Sequence, residues 1–570
     1  MNPLQNRKKF PIGLMLFVLT LAIYKAAMLT VSMMLDWRAF LFLVGLDTFF
    51  LALLLLLVLL HGFSNSKMLR RTLWLLLVFL SVTYLVDSFV LLALNQHAPL
   101  FDMGRYALEP GVVLSFFDTR AYAAIVLLLI SLSINGRFTS AVKRSGIVLL
   151  VMALSIAGFS SVYAPLPLTR YAMLSPVSLM GMIKPRPAVT SYSEEQIEFY
   201  ASQLRDDVEI PATKPDIILL VIESLSSINS KKVSGSDGFM DGFDELAKEG
   251  VLFRNFFANH QASEGGLIAL LGGYPPIHYP TASPYMFDEF AIQPSVIGEY
   301  QQRGYFTGFL TNSDLGFIGL NRFLDGLGLD RSRGRDEVKA MRDAPLVVQN
   351  APSDALLYEE ALHTVQQLTS TQQPFLLTMA TTSTHLPYTH PEGGADSRQA
   401  VWDWSMQQLA GFYRQLTESG YFKNGILLIT GDHREMRPLT ESETARYGGS
   451  ARARVPLLVI GNEYPAGEID DRFFQQSDLL RMLGKVEQAD TPLSPQTIWV
   501  ERYNRKYGRI ELIDSVSVFD EADHGRHEYR LRAPGNRIMW LDKRPEFARR
   551  VEARIHAQRS LHQHTRSNKR

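Results

Sequence analysis

The sequence predicts an N-terminal α-helical transmembrane bundle of about five helices, followed by an α/β domain built on a mostly parallel sheet. Three observations carry this reading. Apolar runs near the ~20 residues needed to cross a bilayer crowd between Pro11 and Tyr163. Lys and Arg cluster in alternate connections between those runs. From Asp216 onward, short β-rich apolar runs alternate with longer amphipathic stretches. At 570 residues the chain exceeds one ordinary domain. The expected division is a helical bundle over 1–163, a juxtamembrane linker over 164–214, an α/β domain over 215–515 and a C-terminal extension over 516–570.

The candidate spans are Pro11 to Leu35, Ala39 to Leu60, Thr72 to Leu94, Phe117 to Ile134 and Gly146 to Tyr163. Arg7, Lys8 and Lys9 precede the first; Lys67, Arg70 and Arg71 lie between the second and third; Arg137, Lys143 and Arg144 lie between the fourth and fifth. Positive residues favour the cytoplasmic side, so an odd number of spans starting inside delivers everything after Tyr163 outside. The expected location is a bacterial inner membrane, with the α/β domain in the periplasm. The first run is too long, and too soon followed by others, for a cleaved signal peptide.

Lys25, Asp47 and Asp87 interrupt the first three spans. At ~1.5 Å rise per residue they sit at a similar depth, ~12–15 Å below the outer surface, and can meet. Two readings stand: an ion cluster that fixes helix packing, or a polar site for a lipid headgroup or for signalling.

From Ala164 to Lys214 the linker carries Pro165, Pro167, Pro176, Pro185 and Pro187 before a polar stretch with helical character. Lys plus Arg and Asp plus Glu both number 57, so there is no overall basic field for nucleic acid, although Arg544 to Arg570 is a basic tail. The chain has no Cys, which removes disulfides, thiolate metal sites and Cys nucleophiles.

In the α/β part, runs such as Ile217 to Ile222, Phe375 to Met379 and Ile426 to Ile429 are apolar on both faces, as central strands covered by helices must be. Ligands in such sheets bind beyond the carboxyl ends of strands. Glu223, Thr384–His385 and Asp432–His433 stand there. Two carboxylates and an imidazole converging on one sheet edge suit one divalent cation, with Mn²⁺ or Mg²⁺ expected and Zn²⁺ possible. Taken singly, each has an ordinary explanation as a helix cap or a structural His. Ser263, before the apolar Leu267 to Leu271, is placed at a helix N-terminus. It reads there either as a plain N-cap or as a hydroxyl beside a metal, poised to attack phosphorus.

Four motifs then resemble the lipoteichoic acid synthase-like phosphoglycerol transferases of the alkaline phosphatase and sulfatase superfamily. They are Ile222-Glu-Ser224, Ala262-Ser-Glu-Gly-Gly-Leu-Ile-Ala-Leu-Leu271, Thr381-Thr-Ser-Thr-His-Leu-Pro387 and Thr430-Gly-Asp-His433. Weaker matches are Asn312-Ser-Asp314 with Asn321-Arg-Phe323, and Trp402-Asp-Trp404. The resemblance implies a sulfatase-like catalytic domain with Glu223, Ser263, Asp432 and His433 as metal ligands, and Ser263 as nucleophile. It implies His385 in catalysis and phosphate binding, and His385, Asn321, Arg322 and Trp404 around the substrate. The chain departs from the family in having Ser where many members have Thr, in Gln261 and Ala262, and in Arg434 after Gly-Asp-His. A sulfatase's Cys/Ser-x-Pro-x-Arg motif is absent.

The expected function is transfer of phosphoglycerol from a phospholipid, with phosphatidylglycerol as donor, to a periplasmic glycan, polymer or lipid acceptor through a phosphoseryl intermediate. The alternatives are a phosphoethanolamine transferase, or a catalytically silent lipid-sensing regulator of envelope synthesis. Nucleic acid is not an expected partner.

Overall fold

The computed structural model describes residues 9–10, 12–32, 37–94, 119–134, 136–137, 140–163, 208–235, 238–276, 286–290, 295–437, 439–486, 493, 497–503, 514–520, 526–532 and 537–540. These fall into two compact units.

The first unit contains α1 (Ile12–Ser32), α2 (Trp37–Phe63), α3 (Lys67–Leu94), α4 (Thr119–Ser133) and α5 (Ser140–Tyr163). Three of them, α1 to α3, are long and apolar enough to cross a membrane. The apolar stretches described in α4 and α5, Tyr122–Ser133 and Ser145–Ser160, are shorter, so five spans are not established. The helices nevertheless alternate in direction. The amide of Gly13 donates to Ile134 O at 3.2 Å, joining the start of α1 to the end of α4, and Lys9–Phe10 pairs antiparallel with Gly136–Arg137. A Cβ on Gly146, early in α5, would lie 2.7 Å from Leu59, late in α2. One end of the bundle therefore gathers Lys9, Lys67, Arg70, Arg71 and Arg137.

Within the bundle, Lys25 Nζ meets Asp47 Oδ2 at 2.5 Å with both side chains 1% exposed. The Tyr84 hydroxyl donates to the same oxygen at 2.6 Å, and the ammonium lies 5.0 Å from the centre of the Tyr84 ring. Asp87 is also buried. Burial takes both charges away from solvent, and the Tyr84 hydroxyl makes up part of the lost hydrogen bonding.

The second unit holds an eight-stranded sheet. Its strands are β1 (Asp216–Ile222), β2 (Val251–Phe253), β3 (Phe306–Thr311), β4 (Arg331–Arg333), β5 (Phe375–Ala380), β6 (Gly425–Gly431), β7 (Leu457–Ile460) and β8 (Glu468–Asp470). The order across the sheet is β8-β2-β7-β6-β1-β5-β3-β4, with only β7 antiparallel to its neighbours. β1 sits centrally between β5 and β6, and its side chains divide by alternation. Ile217, Leu219 and Val221 enter one core, Ile218, Leu220 and Ile222 the other. The second core is covered by α7 (Asp354–Thr369) and α8 (Arg398–Glu418), through Leu357, Ala361 and Val365 and through Trp402, Leu409 and Phe412. The first is covered by α6 (Ser263–Leu267), its continuation Ile268–Gly272, and the helix Leu320–Leu327.

The last residues of the expected linker belong to this unit. Val208 is buried, and Glu209 exchanges backbone hydrogen bonds with Arg481 and Gly484. Beyond the sheet, β9 (Thr497–Tyr503), β10 (Asp514–Asp520), β11 (Arg526–Arg532) and β12 (Arg537–Trp540) form a four-stranded antiparallel sheet. The expected boundary between 515 and 516 falls inside β10. Residues 164–207 of the linker and the basic tail from Arg544 lie outside the described residues.

Candidate active site

The carboxyl ends of β1, β5 and β6 are held level by parallel pairing: Val221 lies opposite both Ala380 and Thr430, and Ile222 opposite Gly431. Register alone therefore brings the residues after each strand to one edge. Glu223, Asp432 and His433 are buried there, each offering a ligand atom within 4.8 Å of the others. Ser224 ties the strand ends together. Its amide donates to Asp432 Oδ1 at 2.8 Å and its hydroxyl to Glu223 Oε1 at 2.7 Å. That double contact needs the left-handed backbone of Ser224, at φ 60°. The Glu223 main chain is held from β5, accepting from the Thr384 hydroxyl at 2.6 Å and donating to Thr381 Oγ1 at 3.1 Å.

α6 brings Ser263. Ala262, extended at φ −141°, takes the N-cap position, and its side chain makes no cap bond. Ser263 is the first helical residue, and its Oγ lies 3.2 Å from Glu223 Oε2 and 3.2 Å from His433 Nε2. The plain N-cap reading is thereby corrected: the hydroxyl turns to the sheet edge, not back on its own helix. The close approach depends on Gly266, where a Cβ would stand 2.1 Å from the Asp432 carbonyl oxygen.

The electrostatics describe a site short of positive charge. Burial, then the neighbouring Glu223 carboxylate, pushes the Asp432 carboxyl up to about 7. Burial would depress His433, but Asp432 and Glu223 outweigh it and raise the imidazole above its ordinary value. His433 Nδ1 is 2.8 Å from Arg434 O, to which it donates, leaving Nε2 to face Ser263. Two buried carboxylates beside an imidazole whose lone pair points inward form a donor set that fits a divalent cation.

His385 stands nearby, close enough to His433 and Asp432 for both to bear on its titration. Burial holds it down to about 4, so the ring is neutral near pH 7. Its Nδ1 lies 2.5 Å from Leu386 O, and its Nε2 lies 2.6 Å from Gln349 Nε2, consistent with Nδ1–H donating and Nε2 accepting.

The other expected substrate residues lie on two further helices. Asn321 and Arg322 are exposed on the helix Leu320–Leu327, where the Asn321 side chain accepts from the Arg322 amide at 2.8 Å. Trp404 is 4% exposed on α8, edge-on to His390, and so presents no open ring face. Asn312 is wholly buried, donating to Pro352 O and Asp354. Arg434, the departure after Gly-Asp-His, turns away from the cluster and makes two 2.7 Å bonds to Glu443. Sequence reasoning quoted Ser224 and Thr381 within motifs but gave them no role, and it missed Gln349 and Gln476, the last donating to the carbonyls of Gly431 and Asp432 at 2.7 and 2.8 Å. Gln349 and Gln476 stand in none of the motifs and carried no local signal.

This edge coincides with a known family: residues 215–485 match the Sulfatase family model. Phosphoglycerol transferase I of Xanthomonas axonopodis pv. citri (strain 306) is 26% identical over 220 residues, covering 35% of this chain and 31% of that protein. Lipoteichoic acid synthase 1 of Bacillus subtilis (strain 168) is 22% identical over 305 residues, covering 47% and 44%. The chain thus spans less than half the length of either relative. Among solved structures, an alkaline phosphatase superfamily protein from Vibrio parahaemolyticus covers 67% of this chain and 98% of its own at 18% identity and TM-score 0.48. The lipoteichoic acid synthase LtaP from Listeria monocytogenes covers 65% and 97% at 16% identity and TM-score 0.46. Within the matched residues, Ser263 is followed by Glu264-Gly265-Gly266-Leu267, without the Pro and Arg of the sulfatase motif.

Proposed function

We propose that the chain is a membrane-anchored, metal-dependent phosphoglycerol transferase that works through a phosphoseryl intermediate on Ser263. The observation that carries this is the Ser263 hydroxyl, 3.2 Å from both Glu223 and His433 in a buried group of cation-ligating type. Glu223, Asp432, His433 and the Ser263 oxygen would hold one divalent ion, Mn²⁺ or Mg²⁺ with Zn²⁺ also suited to the donors. Such an ion lowers the pKa of the hydroxyl and neutralises phosphate charge.

In the first half-reaction the Ser263 oxygen bonds to phosphorus of the donor, phosphatidylglycerol, as the bond from phosphorus to the diacylglycerol oxygen breaks. The serine proton leaves on diacylglycerol. In the second, an acceptor hydroxyl of a periplasmic glycan, polymer or lipid bonds to phosphorus and the serine oxygen departs. The acceptor's proton passes to His385 Nε2, unprotonated in the neutral ring, as the Gln349 amide gives up its hydrogen bond there, and returns to Ser263. Asn321 and Arg322, both exposed, are proposed to meet the phosphoglycerol headgroup. The buried Trp404 is proposed to act only through its ring contact with His390. The names of the relatives support phosphoglycerol over phosphoethanolamine as the transferred group, and the retained Ser263 geometry favours an enzyme over a silent regulator.

Incubation with labelled phosphatidylglycerol tests the reading. A phosphoryl adduct on the peptide Ala262 to Leu271 is expected in wild type. Ser263→Ala should lower diacylglycerol release by at least about 10²-fold, while Ser263→Thr keeps part of it. Release at the wild-type rate from Ser263→Ala would end the covalent mechanism.

A further inference from the structure

At the basic end of the helical bundle, a cavity of about 550 Å³ opens between the last turn of α2 and the first two turns of α3. It is lined by His61, Lys67, Arg70, Arg71, Trp74 and Leu75. Among the described residues no carboxylate pairs with Lys67, Arg70 or Arg71. His61 is 7% exposed, and its Nδ1 is buried without a hydrogen-bond partner, as is Arg70 Nε. A buried ring nitrogen and a buried guanidinium N–H left without partners carry an uncompensated desolvation cost, so the wall suits a group that brings its own polar atoms. The N-terminal end of α3 adds its positive dipole to the same space.

The walls also select the form in which that group arrives. Trp74 and Leu75 are 36% and 61% exposed, and Met68 and Leu69 are 80% and 49% exposed on the same helix end. A free ion gains nothing from an apolar flank at the end of three apolar helices, whereas a molecule with a charged head and a hydrocarbon body gains from both.

We propose that this cavity binds the phosphate of an anionic phospholipid, with Arg70, Arg71 and Lys67 on the phosphate oxygens, His61 closing the floor and Trp74 against the glycerol and upper acyl chain. The site is separate from the Ser263 centre and does not depend on the reaction proposed there. Its occupancy would tie the α2–α3 turn to the lipid composition of the leaflet in which it lies.

The full chain, purified in detergent and delipidated, is titrated with phosphatidylglycerol, phosphatidylcholine or inorganic phosphate and read by native mass spectrometry. Replacing Arg70 and Arg71 by Gln should lower retained phosphatidylglycerol about tenfold or more and leave phosphatidylcholine unchanged, since each cation at a lipid surface contributes separately. Arg70→Lys with Arg71→Lys should keep most of the retention, which guards against a folding defect in the Gln pair. Lipid held at the Ser263 centre is common to all these chains and cancels in the comparison. As a second measurement, a diazirine-bearing phosphatidylglycerol should label the peptide 61–75 of wild type. Equal retention in the Gln and wild-type chains, or labelling that misses this peptide, would overturn the proposal. Saturation by inorganic phosphate that fully displaces the lipid would overturn the assignment to a phospholipid.

Discussion

The least comfortable residue in the catalytic unit is Asp432. It is 3% exposed, shares its surroundings with the Glu223 carboxylate, and still accepts amide bonds from Ser224 and His433. Its carboxyl is raised to about 7, above its value in an unfolded chain, so without metal the folded state binds a proton that the unfolded state has released. The stability tied to that proton is present at low pH and lost as pH rises toward 7, and the raised His433 works in the same direction. The chelated protein is therefore expected to melt several degrees lower at pH 8 than at pH 5, and added Mn²⁺ should erase the difference. Metal affinity should weaken about tenfold per unit as pH falls below 7, because Asp432 must lose its proton to bind. Calorimetric scans with and without chelator decide both; a chelated protein as stable at pH 8 as at pH 5 would contradict the assignment. The ligands were legible in the sequence because each follows an apolar run that can only be a central strand. Ser224, Gln349 and Gln476 were not, because their contacts depend on backbone torsions and register that no local pattern encodes.

Elements hold this site through contacts remote from the chemistry. Arg434 and Glu443 are 6% and 2% exposed and joined through the guanidinium Nε and Nη2. Arg434→Met strands the buried Glu443 charge and should cost about 3–5 kcal/mol in urea unfolding, and adding Glu443→Gln should return much of it. No recovery in the double variant would mean that the pair is not the coupling unit. Gly266→Ala touches no ligand side chain, yet its Cβ must push α6 off the Asp432 carbonyl. It should reduce diacylglycerol release far more than it lowers stability, by an amount comparable with Ser263→Ala. At this scale the sequence indicated a mostly parallel sheet but not that β7 runs against it, since the apolar run Val455 to Ile460 has the same composition in either direction. Ser263 was placed at its helix start, but which way its hydroxyl turned depended on where α6 landed.

For the molecule as a whole, the alternating helices gather Lys9, Lys67, Arg70, Arg71 and Arg137 at one end. This agrees with the charge pattern that suggested a cytoplasmic end. Alkaline phosphatase fused after Lys214 is expected to be active and fused at Ser66 inactive. The reverse pattern would move the Ser263 centre away from any periplasmic acceptor. Hydropathy found all five helices, though α1 to α3 alone reach the length and composition of a span among the described residues, because α4 and α5 carry shorter apolar stretches.

The central position of β1 also has a consequence in time. Its partners β5 and β6 begin at Phe375 and Gly425, roughly 150 and 200 residues after Ile222. At about 5–20 residues per second, the most apolar strand of the domain waits roughly 10–40 s of synthesis before both of its edges are covered. Through that interval a bare run of Ile, Leu and Val is a template for the wrong partner. Newborn chains should therefore need a holding chaperone until β6 emerges, and a ribosome stalled before Gly425 should release a chain that aggregates.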